Sequence, residues 1–239
     1  MRCLAIVLVL AAAAATAPGS AVAADECRGL LVCLPVAGPW VAVPAPGGNA
    51  ARVDYLLRCP RRNYIVAGVD ARLADAEIDV SFRGETGAPV APGVTTRGAL
   101  LFSAVSTAAS RRPTSFQPFI GCVPTSGGGG RAQTSYAATP PGGLRPTEPM
   151  ERRVVTRRLG TGVALFTVRC PSGARLLDGS HAVAFRTDAA PSTRVLSAVR
   201  VRRSLVGGAV VARVTVAPGG LGGARAELQL HAVCRKAAP

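Results

Sequence analysis

Apolar and polar residues alternate in short stretches along the chain. Between Arg225 and Cys234 every even-numbered residue is apolar or cysteine, whereas the opposite face includes Arg225, Glu227 and His231. A period of two is typical of half-buried β-strands. The same alternation ends at Cys59 and at Cys170, so each of these cysteines is predicted to point into a core. Similar stretches predict further strands at 30–34, 40–43, 64–69, 78–82, 99–105, 181–187, 195–202 and 209–216.

No stretch after residue 24 shows a sustained helical period, and Pro, Gly, Ser and Thr interrupt the apolar runs. The sequence therefore predicts an all-β fold of two tandem, disulfide-bonded, β-sandwich-like domains. The predicted layout is a signal peptide (1–24), an N-terminal extension with a short cysteine loop (25–51), a first β domain (52–123), a Pro/Gly-rich linker (124–150) and a second, basic β domain (151–239).

The first 24 residues have the order of a cleavable signal peptide. Arg2 gives a positive start, the apolar run 4–15 follows, and Ala21-Val22-Ala23 forms a small-residue cleavage site. The apolar run is shorter than the roughly 20 residues that a membrane-spanning helix needs. We therefore expect a secreted or extracytoplasmic protein, in solution or associated with the cell envelope, without a transmembrane segment after cleavage.

Six cysteines follow the signal peptide, and an even number is expected of disulfides in an oxidising compartment. They are Cys27, Cys33, Cys59, Cys122, Cys170 and Cys234. No Cys-x-x-Cys pair is present, and the chain has only two histidines, so a zinc site is not predicted. Six cysteines allow 15 pairings in principle.

An internal repeat selects one pairing. Cys59-Pro60 and Cys170-Pro171 are each followed by a glycine nine residues after the cysteine, Gly68 and Gly179. A closing cysteine then comes at nearly equal distance, which indicates a duplicated unit. The predicted disulfides are Cys59–Cys122, Cys170–Cys234 and, from the remaining two cysteines, Cys27–Cys33.

The repeated Cys-Pro start, the following glycine and the closing cysteine resemble a broad group of uncharacterised exported proteins of GC-rich bacteria. Units in that group often begin Cys-Pro-x-Gly. Cys170-Pro171-Ser172-Gly173 fits this pattern, whereas Cys59-Pro60-Arg61-Arg62 lacks the first glycine. The resemblance covers about residues 52–122 and 163–234, and it implies export, disulfides and duplication but no particular activity.

Positive charge is concentrated in the second half. Residues 25–144 contain 11 basic and 8 acidic side chains, against 16 and 5 in residues 145–239. Arginine suits phosphate and carboxylate groups because its planar guanidinium forms paired hydrogen bonds. Binding of anionic cell-envelope polymers is therefore the functional hypothesis, and the alternative is that arginine is simply frequent on solvated faces. The candidate residues are Arg152, Arg153, Arg157, Arg158, Arg200, Arg202, Arg203 and Arg213.

Other chemistries find less support in the sequence. Ser180 and His181 are neighbours in a predicted strand and point to opposite faces, and no Gly-x-Ser-x-Gly motif is present. The acidic group Asp70, Asp75, Glu77 and Asp79 lacks a calcium-loop pattern. Aromatic residues are too sparse to predict specific nucleic-acid recognition. We predict a non-enzymatic module without catalytic residues, metal or cofactor. A secreted hydrolase that uses carboxylates and a structural or adhesion protein are the alternatives.

Overall fold

A computed structural model describes residues 25–45, 52–85, 98–107, 112–125 and 150–236. The predicted signal peptide, 1–24, and all but the ends of the predicted linker lie outside these ranges. Within them the chain forms thirteen strands and one short helix, so the predicted all-β class is confirmed. The elements are β1 (Leu34–Ala37), β2 (Trp40–Val43), β3 (Val53–Arg58), β4 (Tyr64–Leu73), β5 (Ile78–Gly84), β6 (Ala99–Ser106), β7 (Thr114–Pro124), β8 (Met150–Arg158), β9 (Gly162–Arg169), β10 (Ala174–Arg186), α1 (Thr193–Ser197), β11 (Val199–Val206), β12 (Ala209–Val216) and β13 (Arg225–Lys236).

The strands form three antiparallel sheets. Sheet A has seven strands. Strand β7 pairs with β4 along one edge and with both β1 and β2 along the other. Beyond β2 the order of the sheet continues with β10, β13 and β8. Sheet B has the order β3-β6-β5, and sheet C has the order β11-β12-β9. The two halves of the chain therefore share a strand order, since β3 to β7 are connected as β9 to β13 are.

The disulfides are Cys27–Cys33, Cys59–Cys122 and Cys170–Cys234. This is the pairing that the repeat predicts. In the first half the long-range disulfide joins the end of β3 to β7, and in the second half it joins the end of β9 to β13. The closing cysteines, Cys122 and Cys234, are fully buried, so the prediction from alternation that Cys234 points into a core is confirmed.

The N-terminal extension joins the two halves. Strands β1 and β2 run along β7, and β2 also pairs with β10 through Val41–Ala184 and Trp40–Phe185. The strand predicted at 30–34 is wrong: Leu31 and Val32 are exposed, and β1 begins only at Leu34. The extension is thus an internal part of sheet A and occupies, beside β7, the place that β8 takes beside β13.

Two apolar cores lie on opposite faces of sheet A. Sheet B covers one face, where Tyr55 and Phe102 pack against Phe116 and Ile120. Sheet C covers the other face, where Val210 and Val214 pack in a cluster with Leu228 and Leu230. Sheet A also reaches the outer face of sheet B, because Val154 of β8 packs against the cluster of Leu56, Ala99 and Leu101. The halves are therefore in extensive contact.

One predicted strand contains a helix. The sequence predicts a strand over 195–202, but Thr193–Ser197 form α1, and β11 starts at Val199. Leu196 is the buried residue of this helical turn. The alternation that follows it holds, since Val199 and Val201 face the core of sheet C. Of the described residues, no helix is long and apolar enough to cross a membrane.

Candidate functional site

The eight candidate arginines do not share one surface. Three of them, Arg200, Arg202 and Arg213, project from the outer face of sheet C. Arg203 alternates to the opposite side of β11, where it donates a hydrogen bond to the Gly179 carbonyl. The other four, Arg152, Arg153, Arg157 and Arg158, lie on the edge strand β8 of sheet A.

Arg200, Arg202 and Arg213 form what we call the arginine face. Arg202 lies directly opposite Arg213 in the β11–β12 pair, and Arg200 lies opposite Thr215, two pairs away on the same face. All three arginines are exposed. Their inward neighbours, Val199, Val201 and Val214 among them, pack into the core and fix the strands beneath them.

The arginine face carries uncompensated charge. Like charges directly opposite each other destabilise a strand pair, and the described part of the chain provides no ion pair for Arg200, Arg202 or Arg213. Strand β9 borders this surface, with Leu165 opposite Arg213 and Val163 opposite Thr215. Leu165 and Val163 are 68% and 60% exposed. The surface therefore combines guanidinium groups with a strip of apolar side chains.

The arginines on β8 serve other contacts. Arg153 pairs with Glu151 at 2.9 Å, and Arg157 donates to the Thr156 carbonyl at 3.2 Å. Arg158 is exposed. Arg152 is buried and donates through Nε to the Glu85 carbonyl at 2.8 Å. Arg152 was predicted as an anion-binding candidate, but its place in the interface between the halves leaves it little access to a ligand.

A buried polar cluster surrounds Arg152. Its Nη1 lies 4.0 Å from Asp54 Oδ2 and 3.4 Å from His231 Nδ1. Asp54 has no exposed surface and accepts hydrogen bonds from Ser103 Oγ at 2.6 Å and from Arg52. Burial opposes ionisation of Asp54, but the Ser103 hydrogen bond and the Arg52 charge hold its pKa below the ordinary value. The cluster is a charged contact between sheets A and B.

His231 is a fully buried member of this cluster. Burial, and then the neighbouring Arg152 charge, lower its pKa to about 3, so it is neutral near pH 7. Alternation correctly puts His231 on the face of β13 opposite Leu230, but sheet B covers that face. Across the strands it lies opposite Ser180, not beside a sequence neighbour. Ser180 and His231 are 5% and 0% exposed, which suits a packed contact better than a site that substrate must enter.

A cleft lies at the other face of β10. It has a volume of about 450 Å³ and is bounded by β2, β10, α1 and β11. The apolar residues Ala42, Val183, Leu196 and Val199 contribute to its wall. Among the described residues of the lining, the polar ones are His181, Ser197 and Arg200. Burial, and then the Arg203 charge, lower the pKa of His181 to about 4.

The acidic residues singled out in the sequence have local partners. Asp70 Oδ2 accepts the backbone N–H of Asp25 at 2.9 Å, and Asp75 Oδ1 accepts that of Glu77 at 3.1 Å. Asp79 is exposed on β5. Among the described residues, no three His, Cys, Asp or Glu side chains are grouped so that they could hold a metal ion.

Alternation predicted that Arg200 and Arg202 share a face, but the sequence did not show that Arg213 lies beside them, and it did not predict the buried cluster or the cleft. Asp54 and Arg152 are far apart in sequence, and the chain contains no motif that links them. The cleft forms where β2 and β10 stop pairing, and an alternating pattern within one strand does not show where its pairing with another strand ends. Comparison with protein-family models, with curated proteins and with solved structures found no match to this chain.

Proposed function

We propose that the protein is exported and binds anionic polymers of the cell envelope through the arginine face. The observation that carries the proposal is the direct opposition of Arg202 and Arg213 without an acidic partner in the described chain. Such a pair costs folding stability unless an anion lies over it. A bound phosphate or carboxylate row would convert this repulsion into charge-assisted hydrogen bonds.

The shape of the face suits an extended polymer. Arg200 and Arg202 are alternate residues of one strand, so their Cα atoms are about 7 Å apart along it. Arg213 extends the charge sideways onto β12. Exposed Leu165 and Val163 lie on the strand beyond and provide an apolar border. The surface therefore presents several guanidinium groups to one chain of repeated anionic groups.

Export is supported by the three disulfides and by the signal-peptide pattern of residues 1–24. Disulfides persist mainly outside the reducing cytosol. The N–H of Asp25 donates to Asp70 Oδ2, so cleavage after Ala24 would place a new α-ammonium group beside this carboxylate. Mass spectrometry of protein from the culture medium tests this part of the proposal. The expected mature chain begins at Asp25 or Ala24, and an intact residue 1 on exported protein would contradict it.

Polymer binding is tested by retention of the purified protein on immobilised heparin over a salt gradient. We expect retention at low salt that falls steeply towards physiological salt, because binding releases counterions. The variant Arg202→Gln/Arg213→Gln should elute at markedly lower salt. Its matched control is Arg62→Gln/Arg175→Gln, which removes the same charge from exposed sites outside the arginine face.

The comparison of these two variants decides between a local site and general charge. If both elute together, net charge governs retention and the arginine face is not a site. If neither the wild-type protein nor the variants are retained at low salt, the polymer proposal is wrong. Isolated wall material should give the same order of elution as heparin.

A further inference from the structure

We propose that the cleft between β2, β10 and β11 binds a single acyl chain with an anionic head group, with the head at Arg200 and the chain among the apolar residues. This site goes beyond polymer binding and shares only Arg200 with the arginine face. Either proposal can therefore fail without the other.

The cleft begins where the pairing of two strands stops. Strands β2 and β10 pair at Trp40–Phe185 and Val41–Ala184. The next residues on each strand, Ala42 and Val183, are not paired and both line the cleft. Pro44, further along, has no N–H with which to continue the ladder. The opening therefore results from the short pairing between β2 of the N-terminal extension and β10 of the second half.

The second wall of the cleft is the free edge of sheet C. Among the described strands, β11 pairs with β12 alone, so its other edge faces the opening. Val199 and Val201 turn their side chains toward the core and line the cleft together with Leu196 of α1. Val53 and Pro113 from the first half complete the apolar rim.

The lining selects the charge of the ligand. Among the described residues that line the cleft, Arg200 is the one that is charged near pH 7, since His181 is neutral there and none is acidic. Its side chain leaves the edge strand β11 on the face opposite Val199 and Val201, so the proposed head group lies at the rim of the cleft, where this long side chain can bend to meet it. A cation would meet the guanidinium without any compensating group. A fully apolar ligand would leave Arg200 unused, whereas a carboxylate or phosphate would pair with it.

The size of the cleft fits a small amphipathic ligand. Its volume of about 450 Å³ falls in the range of roughly 300–1,000 Å³ that is usual for small-molecule sites. Such sites are mostly apolar with a few polar groups that orient the ligand. His181 and Ser197 can act as such groups, because both carry hydrogen-bonding atoms and belong to the same lining as Arg200.

The first experiment uses the wild-type protein and proton NMR of its two histidines. Sodium decanoate, below its micelle concentration at pH 7, should shift the ring resonances of His181, which lines the cleft. Those of His231, buried in the other interface, should stay unchanged. Equal shifts of both histidines, or no shift of His181 at saturating decanoate, would overturn the proposal.

Calorimetry then separates the chain from the head group. Octanoate should bind about fifteenfold more weakly than decanoate, because two methylenes are each worth about 0.8 kcal/mol. Arg200→Gln should weaken decanoate about tenfold and leave decanol unaffected. Dodecyl phosphate in place of a carboxylate tests whether a phosphate head is also accepted, and its tighter binding would place the ligand among phospholipid-like anions. Equal loss of decanol and decanoate in Arg200→Gln would contradict the assignment of the head group.

A cleft-filling variant provides the final control. Val199→Trp should abolish decanoate binding, whereas Val163→Trp, on the exposed outer face of the same sheet, should not. Retention on heparin should persist in Val199→Trp, which shows that it is folded and that the two sites are distinct. If Val199→Trp does not fold, the NMR experiment on the wild-type chain still decides. Equal decanoate binding by the two tryptophan variants would exclude the cleft as the site.

Discussion

The side-chain amide of Gln229 makes the two backbone hydrogen bonds to Leu56 that a neighbouring strand would otherwise make. Gln229 Oε1 accepts the Leu56 N–H at 2.6 Å, and Gln229 Nε2 donates to the Leu56 carbonyl at 3.1 Å. Leu56 lies on β3, an edge strand of sheet B, and Gln229 lies on β13 of sheet A. Both residues are about 95% buried. Two residues 173 positions apart thus close a backbone edge that would otherwise be buried without partners.

Gln229→Ala should therefore destabilise the whole chain. Removal of the amide leaves a buried N–H and a buried carbonyl without partners, and each such group costs about 1–3 kcal/mol. We expect the free energy of unfolding, measured in urea, to fall by about 2–6 kcal/mol in a single transition. Gln117→Ala is the control, because Gln117 makes one partly buried hydrogen bond, to the Gly38 carbonyl. Loss of stability confined to the second half would show that the interface does not couple the halves.

A second prediction concerns acid sensitivity. The folded pKa values of His181 and His231, about 4 and about 3, lie below the ordinary value of 6.5. Between these values the unfolded chain binds more protons than the folded chain, so stability is full above about pH 6.5 and falls as pH decreases. The expected slope is up to about 1.4 kcal/mol per pH unit for each histidine.

Urea unfolding at several pH values between about 6 and 4.5 measures this slope. His181→Gln should reduce it by about half, because one of the two titrating groups is gone. Asp54 contributes with the same sign, but only at lower pH, since its depressed pKa removes stability as pH falls below the ordinary value of 3.8. A wild-type slope near zero in the measured window would mean that neither histidine is held neutral by the fold.

Strand positions and core faces could be read from the sequence more reliably than contacts between strands. Alternation placed Cys170 and Cys234 inside and Arg200 and Arg202 outside, because a strand's period of two is a local property. What covers each face is not local. His231 lies on the predicted polar face of β13 and is nevertheless fully buried, because sheet B packs over that face.

The internal repeat also shows that a sequence pattern does not reveal what covers a residue. Gly68 and Gly179 match in spacing from their cysteines, but a Cβ on Gly68 would meet the Glu26 backbone, and one on Gly179 would meet Val210 of the core. The strand register explains the difference. Cys122 lies opposite Val66 and Cys234 opposite Leu176, positions seven and six residues after the respective first cysteines. Gly68 therefore faces away from the core of its half, whereas Gly179 faces into the core of its half, although both halves share a strand order.

Gly68 leads to the third prediction. The segment that carries the Cys27–Cys33 disulfide passes so close to β4 and β7 that Gly68 and Gly121 leave no room for a side chain. Gly68→Ala should cost about 1–3 kcal/mol, as overpacking does, and loosen this segment. Peptide mapping after mild reduction should show faster opening of Cys27–Cys33 than in wild type. Gly160→Ala, which has open space around it, should behave as wild type; equal reduction rates in all three proteins would contradict the prediction.

The last prediction links stability to polymer binding on the arginine face. Arg213→Glu replaces the repulsion with Arg202 by attraction across the same strand pair. Cross-strand charge pairs contribute roughly 0.2–1 kcal/mol, so the variant should be more stable than wild type by about 1 kcal/mol in urea unfolding and should lose retention on heparin. Thr167→Glu is the control, since it adds a carboxylate to the same face opposite Val211. It should gain less stability than Arg213→Glu, because it is only diagonal to Arg213 and leaves the arginine pair in place. If Arg213→Glu is no more stable than Arg213→Gln, the two arginines do not repel each other appreciably. Wild-type retention by Arg213→Glu would remove this face from the polymer-binding site, because a site built on guanidinium groups cannot gain a carboxylate at its centre without losing affinity for an anion.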